Sequence, residues 1–158
     1  MAAIRRQQGQ VLMADVSAKR PTLRTAVARC EVTMNARTLG ALKEGKVPKG
    51  DVWPTAQIAG ILASKQTAAL IPLCHPIPVT QVTLRSSLQK TCLMIEAAVT
   101  TTAPTGPEME ALTAAAVASL TVYDMCKVLE RGIVIRRLYL VSKSGGKSGA
   151  WRHRGPLS

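Results

Sequence analysis

Phenylalanine is absent from these 158 residues, and all aromatics together make up 3%. A core without large rings must be built from Ala, Val, Leu, Ile and Met, which pack closely between helices and a sheet. The same scarcity weighs against a nucleic-acid groove, where bases stack on aromatic side chains: Trp53, Trp151, Tyr123 and Tyr139 are the only Trp and Tyr. Cysteine is sparse and scattered, at 30, 74, 92 and 126, with no C-x-x-C spacing. No charged segment followed by an apolar one opens the chain in the manner of a secretory signal, so a cytoplasmic location without disulfides is expected. With only His75 and His153 beside the cysteines, no metal site is expected. No apolar run reaches the length of a membrane span.

Acids are also few, nine against 21 Lys and Arg, for a net charge of +12. Arg5, Arg6, Arg152 and Arg154 lie in end segments without acids, yet without them the middle still carries +8. Such a surface attracts polyanions, either nucleic acid or a small phosphate-rich ligand. A basic nucleic-acid-binding module is therefore the alternative to an enzyme, although the shortage of aromatics makes nucleic acid the weaker partner. Hydrophobic residues reach 47%, enough for one domain over 1–158, with 1–12 and 150–158 expected to be flexible.

Along the chain, "TLRTAVARCEVTM" alternates with period two and reads as a strand. "NARTLGALKEGK" offers Asn35 as N-cap and Gly45 as terminator of a short helix. "KVPKGD" is a loop, and Asp51 opens a second helix expected to run to about Leu70. "PVTQVTLRSSLQKTCLMIEAAVTTT" reads as two strands around a turn near Gln89 and Lys90. The longest element begins at "TGPEME", where Thr105 and Glu108 have capping-box spacing, and Gly132 follows its end. "IVIRRLYLVS" is a last strand and "KSGGKSG" a glycine-rich loop. With the first two helices counted as one unit, the order is βαββαβ, an α+β ferredoxin-like sandwich with an antiparallel sheet covered by helices.

Two stretches stand out. In "LIPLCHPIPVT", Pro72, Pro76 and Pro78 stop a helix and fix the loop that carries Cys74 and His75, with His75, just before Pro76, held in extended backbone. In the long helix, Ala111–Leu120 has no charge, and a helix apolar all round is buried, so a covering subunit is expected. Asp124 and Lys127 are i,i+3 neighbours and can touch, as an ordinary surface ion pair or as a proton-transfer pair. Glu110 and Asp124 lie about 40° apart around the axis but roughly 21 Å apart along it. One small reacting centre cannot touch both within one chain: either the ligand is long or the site is shared between chains. The "GGKS" run is no Walker A loop, because Val141 stands where G-x-x-x-x-G-K-[ST] needs glycine. It remains a loop whose N–H groups and two lysines could embrace phosphate.

"LIPLCHP", "EMEALTAAAVASLTVYDMCK" and "KSGGKSG", with "KGDVW" and "ADVSAK" upstream, resemble the molybdenum cofactor biosynthesis protein C family from about residue 13 to 149. Pro107 stands where that family would carry an aliphatic residue, and the tail "AWRHRGPLS" does not resemble it.

The resemblance implies a lyase-type activity, a cyclic pyranopterin monophosphate synthase. Its substrate would be (8S)-3′,8-cyclo-7,8-dihydroguanosine 5′-triphosphate, and its products cyclic pyranopterin monophosphate and pyrophosphate. Asp124, Lys127 and Lys49 would be catalytic. Leu73, Cys74, His75, Met109, Glu110, Glu108, Arg24, Lys143 and Lys147 would bind substrate. The family further implies a homohexamer, a trimer of dimers with shared sites. No cofactor is implied, apart from Mg2+ possible with the triphosphate.

Overall fold

The computed structural model describes residue 9 and residues 11–154. Its elements are β1 (Thr22–Thr33), α1 (Ala36–Lys43), α2 (Val52–Lys65), α3 (Thr67–Leu70), β2 (Val79–Leu88), β3 (Cys92–Ala103), α4 (Glu108–Cys126), β4 (Val134–Ser144) and β5 (Trp151–Arg152). All pairings are antiparallel, in the order β2-β3-β1-β4-β5. The first four strands thus have the expected ferredoxin-like arrangement.

The sheet is apolar on one face only. Ala26, Ala28, Cys30 and Val32 of β1 and Ile95, Ala97 and Val99 of β3 are fully buried, while their sequence neighbours are half-buried on the other face. This alternation is what a sheet covered on one side demands. The cover is α2 and α4. Ala111, Ala114, Ala115 and Ala118 recur at helical spacing and are all fully buried. Small side chains let the helix lie close to the sheet and to α2. At Gly60 of α2 an added Cβ would stand 2.6 Å from Leu84 Cδ2 and 2.9 Å from the Ala114 carbonyl oxygen, so the two helices nearly touch backbone to backbone. Among the described residues nothing covers Leu120 on the far side of α4, which is 57% exposed, and Ile58 (61%) and Leu62 (53%) on α2 are open as well.

Local signals explain most boundaries. The Asn35 side chain accepts a 2.8 Å bond from the Thr38 N–H and caps α1. At the other end Gly45 adopts φ +66. Lys46 N–H bonds Ala41 C=O (2.8 Å) and Gly45 N–H bonds Leu42 C=O (3.3 Å), a Schellman motif that aims the following loop.

Three boundaries differ from the sequence reading. The second helix breaks at Gln66 rather than running unbroken to Leu70. There the Thr67 hydroxyl donates to the carbonyls of Ala63 (3.3 Å) and Ser64 (3.0 Å), a competitor to helix continuation. The Thr105–Glu108 capping box does not form. Pro107 is the N-cap without a side-chain bond, and the Glu108 carboxylate instead takes Lys143. Finally, α4 ends at Cys126, and a turn through Leu129 and Glu130 precedes Gly132. Of the end segments, 1–8, 10 and 155–158 lie outside the described residues, while Trp151 and Arg152 pair with β4.

Candidate active site

The sequence-derived residues gather at the two ends of α4. At its C-terminal end, Asp124 sits in the last turn and Lys127 is the C-cap, where the helix dipole favours a cation. Lys127 Nζ lies 2.6 Å from Asp124 Oδ1. From the loop aimed by the Gly45 turn, Lys49 Nζ donates to Asp124 Oδ2 (2.8 Å) and to the Asp124 carbonyl oxygen (2.9 Å). One carboxylate is clamped between two ammonium groups, and all three side chains stay open to solvent. The Lys127 bond first, then the Lys49 bond, lowers the Asp124 pKa to about 2. The same contact raises that of Lys127. Both shifts hold the trio as one carboxylate between ammonium groups at neutral pH; what the geometry supplies is a carboxylate and two amines within proton-transfer distance of one another.

The N-terminal end of α4 holds a second cluster. Glu108 and Glu110 lie in the first turn, favoured there by the dipole. Lys143 Nζ of β4 donates to Glu108 Oε1 at 2.7 Å. Gly106 lies directly beneath that carboxylate, so an added Cβ would push the Glu108 side chain aside. Arg24 of β1 donates through Nε to the Ala103 carbonyl (3.0 Å) and through Nη2 to the Pro104 carbonyl (3.1 Å), fixing the β3–α4 connection. Three of its five N–H donors remain. Gly145 and Gly146, at φ +94 and +70, turn the glycine loop over Arg24; a Cβ on Gly146 would strike the guanidinium. Glu110 is only 4% exposed, and burial, ahead of the adjacent Glu108 charge, raises its carboxyl pKa.

The proline-bounded loop joins this second cluster. Cys74 is half-buried and its N–H is held in a turn by the Ile71 carbonyl (3.0 Å). Its thiol is pushed up by burial first and by the nearby Glu110 charge second, which suits packing rather than nucleophilic attack. His75 and Met109 are half-buried, Leu73 is 46% exposed, and Lys147 is fully open on the glycine loop. Asp15, which the sequence reading had not singled out, accepts the Ser17 N–H at 2.9 Å. That bond, and to a lesser degree the charge of His75, lowers its pKa. The "ADVSAK" stretch was the available signal for it.

The structure therefore brings Lys49, Asp124 and Lys127 together, and separately brings Arg24, Cys74, Glu108, Glu110 and Lys143 together. It does not unite the two groups within one chain. Among the described residues no group of three or more His, Cys, Asp or Glu could hold a metal ion, and no helix is long and apolar enough to cross a membrane.

Comparison with known proteins decides the family. The model of the MoaC family matches residues 13–146. The chain belongs to the MoaC family. It is 54% identical over 148 residues to the cyclic pyranopterin monophosphate synthase of Thermomicrobium roseum, covering 92% of this chain and 89% of the relative. It is 51% identical to the Nitratidesulfovibrio vulgaris protein of that name (92% of each), and 54% identical to the Nostoc sp. one over 90% and 86%. The match spans both clusters of this MoaC chain. Nothing in these relatives supports the nucleic-acid-binding alternative.

Proposed function

We propose that this chain is a cyclic pyranopterin monophosphate synthase. It converts (8S)-3′,8-cyclo-7,8-dihydroguanosine 5′-triphosphate to cyclic pyranopterin monophosphate and pyrophosphate. The observation that carries the proposal is the Lys49–Asp124–Lys127 clamp in a chain half identical to proteins of that name. Opening the imidazole part of the purine and rebuilding it as a pyrazine requires proton transfers in both directions. Asp124 accepts, and Lys127 and Lys49 donate.

Closure of the cyclic phosphate is a displacement at the α-phosphorus. A substrate hydroxyl oxygen forms the new P–O bond and gives its proton to a base. The bridging oxygen leaves with the pyrophosphate. The free N–H groups of Arg24 and the ammonium groups of Lys143 and Lys147 meet the phosphates. His75, Leu73, Cys74, Met109 and Glu110 line the binding side, with Glu108 setting Lys143. Magnesium, where it takes part, enters with the triphosphate.

The two clusters complete one site when chains associate, with the clamp of one protomer beside the cationic cluster of its partner. A hexamer built as a trimer of dimers is the assembly we infer. Its support is the separation of the clusters and the exposed Ile58, Leu62 and Leu120 on α2 and α4; a monomer in light scattering at micromolar concentration would overturn it. The described residues form one domain, and four unpaired cysteines suit the reducing cytoplasm. The activity is tested by incubating the protein with the cyclic nucleotide triphosphate. One pyrophosphate should appear per molecule of pterin product, and none if the reading is wrong.

A further inference from the structure

Lys49 reaches Asp124 from a loop, and that loop is launched by α1. The helix is thinly seated: of its eight residues only Thr38 and Leu39 are buried. Its C-terminal end directs the loop through the Gly45 turn, and Val47, 5% exposed, pins the loop to the core. At the other end of α1 stands a contact across the chain. The Asn35 N–H donates to Glu130 Oε2 at 2.9 Å, on a residue 95 positions away.

In a capping box, the residue three positions after the N-cap sends its own carboxylate back to the N-cap N–H. Here that position is Thr38, whose hydroxyl is buried without a hydrogen-bond partner among the described residues. Glu130 takes the role instead, with its negative charge at the positive end of α1. Among the described residues it makes no ion pair, so no lysine or arginine competes for its carboxylate.

Glu130 is itself held to the helix that carries the clamp. The N–H groups of Leu129 (2.9 Å) and Glu130 (3.3 Å) both donate to the carbonyl of Cys126, the last residue of α4. The Tyr123 hydroxyl donates to the Arg131 carbonyl at 3.3 Å and holds the same turn. One end of the Glu130–Asn35 contact therefore moves with Asp124 and Lys127, and the other with the helix that delivers Lys49. We propose that Glu130 is a positioning residue of the clamp: its hydrogen bond to Asn35 sets α1 against the end of α4, and so sets where Lys49 meets Asp124. Its effect on turnover rests on the synthase reading above; its effect on the clamp does not.

The test is the Asp124 titration in the full chain, followed by carboxyl carbon NMR, with steady-state kinetics beside it. Glu130→Ala should raise the Asp124 midpoint from about 2 toward the ordinary value, by no more than Lys49→Met does. On the Glu130→Ala background Lys49→Met should then add little, because both changes act on one contact. The kcat of Glu130→Ala with the cyclic nucleotide should fall about tenfold or more. Glu130→Gln keeps a carbonyl oxygen for the Asn35 N–H and loses only the charge, so it should restore the midpoint and most of the turnover. Arg29→Met is the control for general loosening: it breaks the Arg29–Glu96 pair in the sheet and should leave the midpoint at about 2. An Asp124 midpoint unmoved in Glu130→Ala overturns the proposal, as does an equal shift in Arg29→Met. So do fully additive shifts from Glu130→Ala and Lys49→Met, or a Gln variant that behaves like the Ala one, which would make charge the cause. A protein whose midpoint responds as expected but which makes no pyrophosphate from the cyclic nucleotide would sink the synthase reading and leave the role of Glu130 standing.

Discussion

Glu110 and Asp124 stand fourteen residues apart on α4, about 40° apart around its axis and roughly 21 Å apart along it. If both serve one reacting centre, they come from different chains related by a two-fold axis near the middle of the helix. Mixing an inactive Asp124→Asn chain with an inactive Glu110→Gln chain should then restore activity. In each mixed dimer one site carries both defects and the other neither, so up to half the sites of mixed dimers should work. Co-refolded mixtures that stay dead, although mass spectrometry shows mixed oligomers, would put both residues in the same chain's site.

The roles of the two clusters separate kinetically. Asp124→Asn keeps the shape of the clamp but removes the proton acceptor. Its kcat should fall by about 10²–10⁴ with substrate binding nearly unchanged. Arg24→Ala should act mainly on KM, since it removes phosphate donors and loosens the β3–α4 connection that Arg24 ties. Steady-state kinetics with the cyclic nucleotide distinguishes these patterns. An Asp124→Asn enzyme with most of its turnover intact would disprove the catalytic assignment.

The clamp also has a pH signature. Asp124 titrates at about 2, below the ordinary carboxylate value of about 3.9. Its folded pKa is depressed, so the stabilisation it contributes is present above the ordinary value and disappears as pH falls through about 2. Carboxyl carbon NMR should show that low midpoint. Lys127→Met should move it upward, toward the ordinary value, with a smaller upward move in Lys49→Met. A midpoint unmoved by either change would mean that the ion pairs are not formed in solution.

Packing between α2 and α4 leaves no room at Gly60. Gly60→Ala should destabilise the protein by about 1–3 kcal/mol, because Leu84 or the Ala114 backbone must move. Gly40→Ala is the control. It lies in α1 with nothing within 4 Å of an added Cβ, so replacing a helical glycine there should leave stability unchanged or raise it. Thermal unfolding of both variants checks the contrast.

Much of the fold was legible because its signals are local. The period-two pattern gave β1, the turn near Gln89 and Lys90 separated β2 from β3, and Asn35 and Gly45 marked α1, since each signal acts within a few residues. What failed depended on contacts made elsewhere. Glu108 has capping-box spacing, but a lysine 35 positions later takes its carboxylate. The break at Gln66 follows from where the Thr67 hydroxyl turns. Strand β5 is two residues long, too short for any period. The site followed the same division. The Asp124–Lys127 contact could be read from i,i+3 spacing, whereas Lys49 meets Asp124 across 75 residues. Only the family resemblance put Lys49 beside it.

The alanine-lined side of α4 also shapes how the protein should respond to temperature. Heat capacity of unfolding rises with the apolar area exposed, typically about 12–15 cal/mol/K per residue. Alanine exposes little area, and its burial loses no rotamer freedom. Where most domains fill this layer with leucine and phenylalanine, here Ala111, Ala114, Ala115 and Ala118 meet the sheet and Phe is absent. The heat-capacity increment per residue within each protomer should therefore sit at or below the low end of that range. A small increment flattens the stability curve, so folding should depend only gently on temperature on both sides of its maximum and resist cold as well as heat.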